Sequence, residues 1–199
     1  MKFILFFLVT SLSFSLIADP LLDSYKHEKE GNYIKAFEAI EPILGSSGKD
    51  YVIQLRAGWL LYMIGNFSQA VMYFQKASVL NATSLEPRIY QLKPLMSLGK
   101  FREVELVAKS ILRLDSKNYT ARSSLAFSLY SAGDFKNAKI YYESLIQDYP
   151  TDTEMIIGLA YSHLNQVEKS KALEYFRMAE RLIPWDSRVK LGIEACEAK

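Results

Sequence analysis

Ala126-Phe127-Ser128-Leu129-Tyr130-Ser131-Ala132-Gly133-Asp134-Phe135-Lys136-Asn137-Ala138-Lys139-Ile140-Tyr141-Tyr142 decides the fold, because its central glycine belongs to a series. Gly31-Asn32, Gly65-Asn66, Gly99-Lys100 and Gly133-Asp134 stand 34 residues apart, and an aromatic residue follows each: Tyr33, Phe67, Phe101 and Phe135. A fixed period of this size means that one supersecondary unit is stacked repeatedly. Glycine reaches left-handed backbone without steric cost, which is what a helix needs at its last residue before a tight turn. The unit therefore reads as helix, turn, helix.

Working outward, units opening at Ile17, Tyr51, Leu85, Tyr119 and Thr153 fit without a gap. Behind each turn a small or short apolar residue recurs, namely Ala36, Ala70, Val104, Ala138 and Ala172, as a close helix crossing requires. One turn further stand Ile40, Phe74, Ala108, Tyr142 and Phe176, then Ile43, Ala77, Ile111, Leu145 and Ala179, an apolar stripe at helical spacing. Pro150 and Pro184 end the last two units, since proline cannot continue a helix. Asp50, Ser84 and Asn118 are placed to cap first helices, and Thr151-Asp152-Thr153-Glu154 has capping-box spacing. After Pro184 one more helix is expected, with Val189, Ile193 and Cys196 on its apolar side and Leu191 alongside, covering the end of the stack.

The pattern resembles the tetratricopeptide repeat, through Ala126, Tyr130, Gly133-Asp134-Phe135, Ala138, Tyr142 and Pro150, and next through Gly58, Gly65-Asn66-Phe67, Ala70, Phe74 and Ala77. The resemblance implies an all-α, right-handed α-solenoid of five such repeats, about 19–50, 51–84, 85–118, 119–152 and 153–184, with a capping helix at 186–198. Two departures carry expectations of their own. In the fifth unit Val167 stands where glycine is expected, so Asn165 or Gln166 would absorb the reversal in a turn unlike the others. In the third, Pro94 falls inside the first helix and predicts a kink, while Val104 in place of alanine widens the crossing.

Residues 1–18 carry Lys2, the apolar run Phe3-Ile4-Leu5-Phe6-Phe7-Leu8-Val9 and a Ser-rich stretch ending at Ala18, the order of a secretory signal peptide. The run is shorter than a membrane span of about 20 residues, so a membrane association is expected only if the segment stays uncleaved. The expectation is an exported chain, periplasmic or secreted, with the bacterial periplasm favoured. Lys and Arg number 24 against 22 Asp and Glu, a net charge of +2 that falls further when Lys2 leaves, and no basic stripe argues for nucleic acid. The single cysteine, Cys196, has no partner for an internal disulfide. Asn66, Asn81 and Asn118 open glycosylation acceptor patterns that matter only in a eukaryotic secretory pathway.

Chemistry finds little support. His27 and His163 lie in the first and fifth units, and no His or Cys set has metal-ligand spacing, so no cofactor or metal is expected. Gly45-Ser46-Ser47-Gly48-Lys49-Asp50 lacks the spacing and the hydroxyl residue of a phosphate loop and reads as an inter-repeat turn. The resemblance instead implies a concave groove lined by the first helices. The ninth residue of each unit gives Tyr25, Trp59, Lys93, Phe127 and Tyr161; the twelfth gives Glu28, Tyr62, Met96, Tyr130 and Leu164; the fifth gives Leu21, Leu55, Ile89, Ser123 and Ile157. The candidate groove residues are Tyr25, Trp59, Tyr62, Lys93, Met96, Phe127, Tyr130, Tyr161 and Leu164. Arg56 is the only basic match to the positions with which some family members grip a chaperone carboxylate, so that clamp is not expected.

An aromatic ladder of this kind suits an apolar extended or helical segment of a partner protein. The expected function is thus a non-catalytic protein–protein interaction adaptor with a protein or peptide partner, no nucleic acid and no small-molecule cofactor. The alternative is a self-assembling structural subunit of a cell-envelope complex, a homo-oligomer. A hydrolase would need carboxylates in the cleft, and Glu28 is the only acid in the two innermost rows.

Overall fold

The computed structural model describes residues 19–46 and 48–198; the leader read at 1–18 lies outside them. Over the described residues the chain forms α-helices with no strand. They are α1 (Pro20–Lys29), α2 (Tyr33–Ile40), α3 (Tyr51–Ile64), α4 (Phe67–Leu80), α5 (Glu86–Ser97), α6 (Phe101–Leu112), α7 (Tyr119–Ser131), α8 (Phe135–Asp148), α9 (Thr153–Asn165), α10 (Lys169–Leu182) and α11 (Ser187–Glu197). Each helix packs on the next, and alternate helices α3, α5, α7, α9 and α11 also touch in sequence, which makes the stack an all-α solenoid.

The turns inside the units share one hydrogen-bond pattern. In the second, the Gly65 N–H donates to Tyr62 O at 3.0 Å and the Asn66 N–H to Leu61 O at 2.8 Å, with Gly65 at φ +89°. The residue after the glycine then starts the second helix: Asn32, Asn66 and Asp134 each accept the backbone N–H three residues on. So the Gly-Asn dipeptide both closes one helix and opens the next.

The fifth turn corrects the expectation for Val167. It uses the same two bonds, Val167 N–H to Leu164 O at 2.9 Å and Glu168 N–H to His163 O at 3.0 Å, and Val167 itself adopts φ +63°. The stack fixes the register of the two helices, and the valine takes the strained conformation rather than passing it to Asn165 or Gln166.

Caps follow the sequence in part. Asp50 accepts from Val52 N and Ile53 N, and Asn118 from Ala121 N. Ser84 caps weakly, from one position before the helix boundary at Leu85. The capping box does not form: Asp152, not Thr151, accepts from Met155 N, and Glu154 turns away to Arg188. Pro94 lies buried inside α5, whose helix continues through it to Ser97. In the first unit Pro42 stops α2 at Ile40, leaving a 3-10 turn over Glu41–Ile43.

The core lies between first and second helices. Ala36, Ala70, Val104, Ala138 and Ala172 are fully buried, as are Ile40, Ala108 and Phe176, with Phe74 and Tyr142 nearly so. Three glycines receive rings: a Cβ on Gly58 would lie 2.7 Å from Phe74, on Gly158 2.5 Å from Tyr142, and on Gly192 2.2 Å from Phe176. Gly192 thus docks α11 on α10, and Val189 and Ile193 are buried there while Leu191 stays exposed.

Candidate binding groove

Helical spacing carries the second, fifth, ninth and twelfth residues of each unit to one face of its first helix. Among the described residues, three recesses open on that face. The first is lined by Tyr25, Glu28, Val52, Leu55, Arg56, Trp59, Glu86 and Tyr90. The second, about 200 Å³, is lined by Trp59, Tyr62, Phe74, Ile89, Tyr90, Lys93 and Thr120. The third, again about 200 Å³, lies between α7 and α9, with Phe127, Tyr130, Ile157 and Tyr161 on its walls and Glu154 and Arg188 at its end.

At the first recess a buried network fixes the ring positions. The Arg56 guanidinium donates to Glu28 at 2.7 Å and to Ser24 Oγ at 2.8 Å, and stacks over the Tyr25 ring at 3.6 Å. Ser24 in turn donates to Ala36 O at 2.6 Å. Trp59 Nε1 donates to the other Glu28 oxygen at 2.8 Å, so the carboxylate orients both the arginine and the indole. Arg56, only 7% exposed, is committed inside the fold and has no fork to offer a ligand carboxylate. Glu28, the one acid of the two innermost rows, is likewise engaged.

The second recess is an aromatic cluster. The Trp59 ring lies 6.0 Å from Tyr62 and 6.2 Å from Tyr90, and Tyr90 lies 5.8 Å from Phe74 on the floor. Burial pushes the Tyr90 hydroxyl above its ordinary pKa, reinforced by its hydrogen bond to Glu86, so it stays protonated and donates. Lys93 is exposed at the lip, and among the described residues it makes no ion pair or hydrogen bond.

The third recess is closed by the capping helix. Arg188 forms a forked pair with Glu154 at 2.9 and 2.7 Å and also holds Asp186, while the Tyr161 hydroxyl donates to Arg188 O at 2.7 Å. The hydrogen bonds to Arg188 hold the Glu154 and Asp186 carboxyls below their usual range, so this end stays charged and paired.

The nine residues singled out in the sequence do not play one role. Tyr25 and Phe127 are each 46% exposed, and Lys93 is exposed. Trp59 is half-buried with its N–H already used. Tyr62 and Tyr130 pack on the ring after their own turn glycine, 5.8 Å from Phe67 and 5.3 Å from Phe135. Tyr161 packs edge-on against Phe176 at 4.9 Å, and Met96 and Leu164 rest against the core. Sequence reasoning missed Tyr90 and the second-position row: Val52, Glu86, Thr120, Glu154 and Arg188 all line recesses. The signal was present, since stepping back three residues from the fifth-position row stays on the same helix face.

Among the described residues no group of three or more His, Cys, Asp and Glu side chains is placed to hold a metal ion, and no helix is long and apolar enough to cross a membrane.

Comparison with known proteins agrees with this geometry. Residues 124–152 match the sequence model of the family described as tetratricopeptide repeat. No curated protein matches the chain in sequence. Among solved structures, YrrB, described as a TPR protein with an unusual peptide-binding site, superposes with a TM-score of 0.78 at 13% identity, over 88% of this chain and 90% of that one. MamA superposes with a TM-score of 0.76 at 18% identity, over 82% and 89%. MamA from Desulfovibrio magneticus gives 0.75 at 13% identity, over 82% and 93%. With one unit matched in sequence and the whole stack matched in structure, the chain has the fold of tetratricopeptide-repeat proteins.

Proposed function

We propose that this protein is a non-catalytic adaptor, exported to the bacterial periplasm, which holds an apolar segment of a partner protein against the first-helix face. The tetratricopeptide fold supports protein–protein interaction as the role. The observation that carries the groove reading is the run of aromatic side chains through three recesses on that face, with Tyr25, Tyr90 and Phe127 each more than a third exposed. Exposed rings of this kind are where binding energy concentrates when a ligand covers them. The peptide-binding site in the description of YrrB, a structural neighbour, favours a peptide over a small molecule.

Capture from envelope extract tests this. The chain from residue 19 is expected to retain a partner that a Trp59→Ala, Phe127→Ala double variant with unchanged helix content does not. Equal recovery by both would place the binding site off the groove. A lone Phe127→Ala variant accompanies it, because Trp59 also holds Glu28.

A second reading, a self-assembling subunit of a cell-envelope complex, is favoured by one row on the opposite side. Met72, Leu106 and Ile140 recur at the repeat spacing on α4, α6 and α8 and are 40%, 65% and 57% exposed. Sedimentation over a wide concentration range decides it: a persistent monomer overturns the assembly reading.

A further inference from the structure

We infer that the segment held by the groove carries a basic side chain, whose cation is seated in the first recess on the Glu86 carboxylate. This rests on the groove reading above and adds the charge of the ligand to it.

The repeat supplies its own comparison. Glu86 and Glu154 hold the second position of the third and fifth units, on the same helix face. Glu154 is neutralised from one unit further on, where Arg188 holds the equivalent position and forks onto it at 2.9 and 2.7 Å. One unit beyond Glu86 the equivalent residue is Thr120, which carries no charge. Glu28, another acid of this face, is likewise met by an arginine of the next unit, Arg56, at 2.7 Å. Of these three carboxylates, Glu86 is the one whose arginine is missing.

The surroundings of Glu86 fit a cation from outside. Its side-chain partners among the described residues are the Tyr51 and Tyr90 hydroxyls, each at 3.1 Å, which aim the carboxylate without neutralising it. A carboxylate has room for about four donors, so the two tyrosines leave lone pairs for an ammonium or guanidinium. The lining of the first recess sets Glu28 and Glu86 against Arg56, a net of one negative charge. Tyr25 and Tyr90 on its walls are 46% and 38% exposed, and ring faces attract a cation and cover its alkyl stem. Arg56, stacked over Tyr25 at 3.6 Å, shows the same pairing of cation and ring inside the fold. The second recess has the opposite preference, because Lys93 lines it and repels a cation. The two charges thus select where along the groove the basic side chain sits.

A phage library of random dodecapeptides provides the probe, panned in parallel on the chain from residue 19 and on its Glu86→Gln, Thr120→Arg and Phe127→Ala variants. Glutamine keeps an oxygen for the tyrosines, and circular dichroism checks that each variant retains its helix content. Peptides recovered by the parent chain and weakened by Phe127→Ala are expected to combine large apolar residues with Arg or Lys, enriched roughly threefold or more over the unselected library. A recovered peptide, made synthetically and followed by anisotropy, should bind roughly threefold to tenfold more weakly to Glu86→Gln. Replacing its basic residue by Gln should cost as much, and the two losses should not add, since each removes the same pair. Thr120→Arg, which offers Glu86 the partner that Arg188 offers Glu154, should also remove the preference for a basic residue. Peptides that depend on Phe127 but show no basic enrichment, or two losses that add in full, overturn the cation on Glu86 and leave the groove reading standing. If Phe127→Ala weakens none of the recovered peptides, the groove reading fails and the inference with it.

Discussion

At the scale of single residues, Val167 is where the local preference and the fold disagree. A β-branched side chain at φ +63° is held against a cost of roughly 1–2 kcal/mol. Val167 is 79% exposed, so packing does not compensate. Val167→Gly is expected to raise stability by about 1 kcal/mol once the greater freedom of glycine in the unfolded chain is subtracted, read as a higher urea midpoint at unchanged slope. A lower midpoint would mean that the valine makes a stabilising contact. The converse test is Gly192→Ala, whose new methyl would meet the Phe176 ring at 2.2 Å and should cost about 1–3 kcal/mol by overpacking. The glycine at each turn is readable in the sequence because one residue type fits the backbone there. Val167 was misread because the hydrogen bonds of a stacked turn set the conformation, and these belong to the position, not to its side chain.

At the scale of elements, Glu168 ties three helices at one point. Its carboxylate takes two hydrogen bonds from Lys139 of α8, at 3.0 and 2.9 Å, and pairs with the buried His163 of α9, while Glu168 itself opens α10. Lys139 first, and His163 second, pull the Glu168 pKa down to about 2. A carboxyl that is a stronger acid when folded leaves the folded state with fewer protons than the unfolded one over that interval. Its contribution is therefore present in full above the ordinary glutamate range, about 4.3, and is lost as the pH falls toward about 2. Glu168→Gln is expected to lower the urea midpoint at pH 7, with the gap to the parent chain narrowing steadily below about pH 4.3. A gap independent of pH would assign the loss to packing. Such ties join residues from different helices, so neither the repeat period nor helical spacing reveals them. The groove differs: its aromatic rows were legible because they repeat, whereas Glu86 and Arg188 were passed over at the row's next step on the same face.

At the scale of the whole molecule, a solenoid is stabilised only by contacts between neighbours, so its last unit depends on what covers it. The eighth position of the first helices carries Ser24, Gly58, Leu92, Ala126 and Ala160, all buried against a second helix. In α11 the same position is Glu194, exposed, with Lys190 and Glu197 exposed beside it. The outer face of α11 is thus built to meet water, and its inner face, through Val189, Gly192 and Ile193, to cover α10. A chain ending at residue 185 would uncover Ala172, Phe176 and Ala179, all fully buried in the intact protein. Exposing the phenylalanine alone forfeits about 1.5–3 kcal/mol, and the forked pair between Arg188 and Glu154 goes with it. The expected result is loss of more helical signal in circular dichroism than α11 itself accounts for, because the fifth unit frays, together with a sedimentation mass that rises with concentration as the uncovered rings find another copy. If the shortened chain stayed monomeric and lost only the signal of α11, the fifth unit would be stable without its cover, and α11 would serve to close the groove through Arg188 and not to hold the stack together.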